Sequence, residues 1–327
     1  MVASEATTGK LRLMHALAVL ATGATFLLLI AGGAVTSLDV GMADTVWPTP
    51  PWYLVVLIGS GRALERGLGF LVEHAHRQVG WIVGMLVVAM VVVSLLRDTP
   101  RSLRRWSVTL LVLVSVQGVL GGLRVLAVSR ELAVVHGIVA HLFFATCFGL
   151  VLWTRSSLWQ EAFLGTSIDE LQRRLRTAAL AAGLLAFQLL SGAVLRHLGL
   201  GLGVHVLGAV AAALAAMGLG FGCFFLGERP MFAVRSWILM VGAFAQVVLG
   251  AAAWVSASGF GPYALGPVTR THAYSATVHM LLGSVLFATT CSLLLELYAV
   301  WARRRAWEQP SDAGDAEPVG PARSFAR

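Results

Sequence analysis

Gln78-Val-Gly-Trp-Ile-Val-Gly-Met-Leu-Val-Val-Ala-Met-Val-Val-Val-Ser-Leu-Leu96 runs for 19 residues without a charged side chain. About 20 apolar residues carry a helix across the hydrocarbon of a bilayer, where only helices or closed barrels satisfy their own backbone. Seven more charge-free stretches share this character: Leu13–Leu38, Trp106–Leu123, Leu132–Thr154, Thr177–Leu195, His197–Gly227, Ser236–Thr269 and Thr271–Leu295. The stretches after His197 and Ser236 exceed a span, so part of each is loop. Composition agrees, with 57% hydrophobic and 12% charged residues, against about 25% charged in soluble domains. The chain reads as an all-α integral membrane protein of eight transmembrane helices.

A ninth apolar run, Trp52–Ile58, is too short to cross and follows Pro48, Pro50 and Pro51; it reads as an interfacial piece of the first outer loop. Lys10 and Arg12 precede the first stretch as in a secretory signal, but its apolar run exceeds the about 7–15 residues of such cores. Gly33-Ala34-Val35 near its end also recurs as Gly192-Ala193-Val194, so the first helix is read as retained. With the N-terminus inside, 17 of the 24 Lys and Arg residues fall in inner segments and seven in outer ones. The positive-inside rule then places both termini in the cytoplasm. The net charge of +8 is a topology signal and not a nucleic-acid footprint. Cys147, Cys223 and Cys291 all lie within helices, which argues against a disulfide framework or zinc site.

Internal duplication is the next layer. Gln117-Gly-Val-Leu-Gly121 in the third helix recurs as Gln246-Val-Val-Leu-Gly250 in the seventh, an offset of 129. His76 opens the second helix and His205 the sixth, again 129 apart. His136, followed by Leu142-Phe-Phe-Ala145, opens the fourth; His279, followed by Val285-Leu-Phe-Ala288, opens the eighth. Each half is thus expected to form one of two pseudo-symmetric four-helix bundles with a histidine on its second and fourth helices. Those two helices run parallel and face each other diagonally across the core, where bundle cofactors are built. Two imidazoles at equal depth suit the axial ligation of heme iron, so four of them imply two heme sites near the outer leaflet. For His15, His74, His141, His197 and His272 the default is interfacial or core packing, with a hold on a heme propionate as the alternative for His197 or His272. Gln117 and Gln246 read as interhelical hydrogen bonders at close helix contacts.

The halves differ in one respect. Adding 129 to Glu73 gives Leu202, and to Arg77 gives Val206. Glu73 and His76 share a helical face one turn apart. A helix-start ion pair between Glu73 and Arg77 explains their presence but not their absence from the duplicate. The site with an ionisable group is therefore assigned the chemistry, and the plain bis-histidine site electron transfer.

At these residues the sequence resembles the heme A synthase family. Glu73-His-Ala-His76-Arg77 is similar to that family's Glu-x-x-His-Arg at the start of helix two, and Gln117-Gly-Val-Leu-Gly-Gly122 to its third-helix motif. Thr25-Phe-Leu-Leu-Leu-Ile-Ala-Gly-Gly-Ala-Val-Thr-Ser37, Gly41-Met-Ala and Trp47-Pro48 resemble its first helix and outer loop. The resemblance covers about residues 14–300. It implies oxidation of a methyl group of heme O to a formyl group, giving heme A, with oxygen as oxidant. His76 and His136 would flank the substrate heme with Glu73 beside it; His205 and His279 would ligate a permanent heme b. It further implies a place in cytochrome oxidase assembly in a bacterial inner membrane. Contact with heme O synthase and with a membrane electron donor would follow. Two departures stand out: residues 38–75 lack the cysteine pair many members carry there, and the loop Arg196–Gly203 is very short.

The expected organisation is a cytoplasmic N-terminus (1–12), a substrate-heme bundle (13–155), a cytoplasmic linker (156–176), a heme b bundle (177–302) and a disordered cytoplasmic tail (303–327). The competing class is a diheme b-type electron-transfer cytochrome. An eight-helix transporter would need charged or broken helices at the midplane, and the stretches contain no such charges.

Overall fold

The computed structural model describes residues 5–41, 47–49, 52–59, 67–96, 99–155, 166–225, 230–258 and 269–308. Among them, eight helices are long and apolar enough to span a membrane: α1 Glu5–Ser37, α2 Gly67–Leu95, α3 Arg101–Ala127, α4 Arg130–Thr154, α5 Ile168–Leu198, α6 Leu202–Phe224, α7 Pro230–Ser258 and α8 Arg270–Glu308. No strand is present among the described residues. The short apolar run forms its own small helix, Tyr53–Gly59.

Local sequence sets the helix ends. Ser129 caps α4 by accepting from Leu132 N at 3.1 Å, and Ser167 caps α5 by accepting from Glu170 N at 3.2 Å. Gly199 closes α5 at φ 70°, and Gly201 starts α6 at φ 81°, a left-handed conformation that glycine adopts without Cβ strain. The α5–α6 connection is therefore only Gly199–Gly201, shorter than the Arg196–Gly203 expected. Two boundaries move: Ile168–Arg176 of the expected linker is the first part of α5, and α8 continues to Glu308, into the expected tail. Residues 156–165 of that linker and 309–327 of that tail lie outside the described residues.

Each half closes into a ring in which α1 packs on α2, α2 on α3, α3 on α4 and α4 back on α1. The ring α5–α6–α7–α8 has the same neighbours. The rings join where α4 meets α8, flanked by α1 on α8 and α4 on α5. Met14, Ala18, Val87, Met90, Leu110, Phe143 and Leu150 fill the first core; Leu171, Ala178, Ala216, Leu219, Leu239, Leu286 and Leu293 fill the second. Leu20, Met85, Val112, Leu214 and Phe244, all more than half exposed, face outward as a lipid-contacting surface requires.

Candidate functional site: two facing histidine pairs

All four matched histidines lie within the first three turns of even-numbered helices, hence toward one end of the bundles. Each imidazole rests on a glycine of the preceding helix. A Cβ on Gly32 would sit 3.0 Å from Cε1 of His76, and one on Gly121 would sit 3.2 Å from Cε1 of His136. In the second half the distances are 3.0 Å from Gly192 to His205 and 2.9 Å from Gly250 to His279. Real Cβ contacts rarely come this close, so glycine is what lets each ring sit against the neighbouring backbone. The contact pairs Gly32 with Gly192, one residue away from the Gly33/Gly192 register of the sequence motif.

The second pair carries the better-defined geometry. The ring centres of His205 and His279 stand 6.2 Å apart with planes at 79°. Imidazole–metal bonds are about 2.0–2.1 Å long, so in separation the pair would suit one iron bound by both rings. His279 directs Nδ1 to the Gln246 carbonyl at 3.1 Å, and His205 Nδ1 meets Ser191 Oγ at 3.0 Å. A metal-binding histidine is oriented in this way, its other ring nitrogen held by the protein. The Gln246 amide lies 3.5 Å from His279 Nε2. Between α5 and α6, an open apolar groove of about 230 Å³ lined by Phe187, Leu190, Ser191, Val194 and Val204 runs beside this site; neither His205 nor His279 lines it.

Around the first pair, Glu73 is 3% exposed and accepts from Arg77 Nη2 at 2.5 Å. The ion pair expected at a helix start is thus real, but it is buried, where both charges depend on each other far more than at a surface. Segments of the loop between α1 and α2 cover this end. The Trp47 indole lies where a Cβ on Gly122 would be, and the Arg124 guanidinium where one on Gly41 would be; Trp81 Nε1 donates to Thr49 O at 3.3 Å. The Nδ1 atoms of His76 and His136 are buried and short of full hydrogen-bond geometry, with the backbone carbonyls of Leu28 and Gln117 acting on the two rings.

Gln117 donates to the His136 carbonyl at 3.0 Å, the interhelical bond expected of it. Gln188 makes the same bond to the His205 carbonyl at 3.0 Å and was not singled out from the sequence. Its signal was present, since Gln188 precedes Gly192 by four residues as Gln117 precedes Gly121 and Gln246 precedes Gly250. The other histidines hold the scaffold. His74 is fully buried against Phe70 and Tyr53, ring centres 4.1 and 5.3 Å away. His15 bonds Thr154 Oγ1 at 2.9 Å, and His272 Nδ1 meets Ala253 O at 3.2 Å. His141 bonds Ser284 Oγ at 2.8 Å across the junction of the halves. A buried ion pair, Arg235 with Glu296 at 2.6 Å, ties α7 to α8 at the opposite end; sequence reading had placed both residues outside the spans. The three cysteines are free, as expected.

Residues 65–204 match the family model described as cytochrome oxidase assembly protein (COX15-CtaA). The match takes in Glu73, His76, Arg77, Gln117 and His136, bears out the resemblance read from those motifs, and stops one residue short of His205. No curated protein matches the chain.

Proposed function

We propose, taking that family match as premise, that this protein is a heme A synthase that oxidises a methyl group of heme O to the formyl group of heme A. The observation that carries the reading is the unequal equipment of two otherwise matched histidine pairs. Glu73, buried one turn before His76, has Leu202 as its counterpart. His76 and His136 would hold the substrate heme, and Glu73 would position it or handle protons beside it. His205 and His279 would hold a resident heme b, which supplies electron transfer when bound. Gln188, Ser191 and Gln246 fix those two ligands in place, and the packed α4–α8 junction sets how the sites stand to each other.

The same reading puts the chain in a bacterial cell membrane with both termini cytoplasmic, as the distribution of 17 against seven basic residues asks. Heme O synthase is the natural source of substrate, and a membrane electron donor a further partner. The test is to express the chain with a heme O source and separate heme O, hydroxylated intermediates and heme A by chromatography. Heme A is expected from the wild type. In Glu73→Gln, heme b should stay near wild-type content while heme A falls on the order of 100-fold, as loss of a positioned acid–base group does. Near-normal heme A from that variant would return Glu73 to a purely structural ion pair. No heme A from the wild type would move the assignment to a diheme electron-transfer cytochrome.

A further inference from the structure

Among the described residues, two arginines at the histidine end have no carboxylate bonded to them. Among the described residues the Arg124 side chain makes no hydrogen bond, and its Nε is buried without a partner. Glu73 and Asp39 act on Arg124 through space, but the Glu73 oxygen that is 2.5 Å from Arg77 is already engaged. Arg196, on α5, donates only to neutral acceptors: Gly33 O at 2.9 Å, Ser37 Oγ at 2.5 Å and Ala276 O at 3.4 Å. A guanidinium removed from water beside hydrocarbon is costly unless an anion meets it.

Their placement supplies the rest. Arg124 lies within electrostatic range of His76 and His136, and Arg196 within range of His279. His197, next to Arg196 in the chain, feels both arginines and is itself within range of His136. Arg124, His197 and Arg196 therefore form one polar bridge of two guanidiniums and an imidazole between the two histidine pairs. The counterpart of Arg124 at an offset of 129 is Ala253, so the bridge is not a product of the duplication.

We infer that Arg124, His197 and Arg196 form a shared carboxylate-binding bridge that receives a propionate from each of the two hemes, Arg124 taking that of the substrate heme and Arg196 that of the resident one. This rests on the proposed heme-binding function. Guanidinium is suited to the task, since its planar fork meets a carboxylate in two parallel hydrogen bonds. A carboxylate shared through one bridge also fixes the rotation of each macrocycle about its axial histidines, and so which ring edge faces Glu73.

The test is equilibrium binding of ferric heme b and of its dimethyl ester to the purified full-length protein, followed by Soret absorbance. Wild type is expected to bind the free acid on the order of 10- to 100-fold more tightly than the ester, the range set by charge-assisted hydrogen bonds. Arg124→Gln and Arg196→Gln should each narrow that ratio, and Arg124→Lys should partly restore it. Equal binding of acid and ester by the wild type, with low-spin spectra for both, would overturn the bridge and leave the heme reading standing. Failure of the wild type to bind either would instead remove the heme reading. The wild-type comparison needs no substitution, so a variant that fails to fold does not decide the matter.

Discussion

Gly250→Ala tests whether the glycine beneath each imidazole is what allows ligation. The new Cβ would lie 2.9 Å from Cε1 of His279, whereas carbon atoms rest about 3.5–4.0 Å apart. The ring must then retreat by at least about 0.6 Å, while a metal–ligand distance tolerates only about 0.2 Å. The Gln246 carbonyl, one turn before Gly250 on the same helix, holds Nδ1 at 3.1 Å, so a ring that retreats from the new Cβ also stretches that hydrogen bond. Heme b retention is expected to fall 10- to 100-fold, about the loss seen when the groups orienting a metal ligand are disturbed, with a shift from low-spin to high-spin absorption. Gly84→Ala is the control. Nothing lies within 4 Å of its new Cβ, and alanine in place of a mid-helix glycine stabilises by about 0.5–1 kcal/mol. The assay is the pyridine hemochrome content and reduced-minus-oxidised spectrum of purified protein. A Gly250→Ala protein with full heme b and an unshifted low-spin spectrum would refute the reasoning, because the ring would then not be positioned by that contact.

Other outcomes follow from the same contacts. His205→Ala and His279→Ala should each abolish the low-spin heme b spectrum; retention of normal bis-histidine absorption in both would break the assignment. A periplasm-active reporter fused after Ala127 should be active and one fused after Asp169 silent, the reverse pattern overturning the orientation. Glu296→Gln should lower thermal stability by about 1–3 kcal/mol without changing heme content, since Arg235 loses a charged partner but keeps Ser292; an unchanged melting temperature would show that the ion pair is neutral.

Much of this was legible because membrane helices leave strong one-dimensional signals. All eight spans and the diagonal placement of α2 against α4 follow from charge-free runs and histidine position, and the shortness of the α5–α6 connection was visible though its three-residue extent was not. What stayed hidden depends on which face a residue turns to its neighbour. Arg235 and Glu296 read as ordinary charges at span ends, yet α7 and α8 extend far enough to bury both between them. Arg124 and Arg196 are two of the seven basic residues that the positive-inside count places outside, and that count says nothing of what they face. Gly32 was masked by the motif match of Gly33, because the helices carrying them pair one residue out of that register. Helix ends moved for a simpler reason: Ser167 with Asp169 and Glu170 starts α5 well before its apolar part begins.

The settings of His76 and His205 show how duplication can yield two different sites. In the contact register, where Gly32 corresponds to Gly192, the counterparts of Gln188 and Ser191 are Leu28 and Ala31. His205 is therefore held twice by side chains, through its carbonyl by Gln188 and through Nδ1 by Ser191. His76 sits on the same glycine step without either side-chain bond, with only the Leu28 backbone carbonyl acting on its ring. The polar groups near it are charged instead: Glu73, Arg77 and Arg124, where the second half has Leu202, Val206 and Ala253. A ligand fixed by two neutral hydrogen bonds suits a heme that stays, since reorienting the ring would break both. A ligand fixed mainly by packing, in a field of buried charges, suits a heme that enters, reacts and leaves. The departures from the repeat thus fall together on the His76 side of the first pair, where the proposed chemistry needs them.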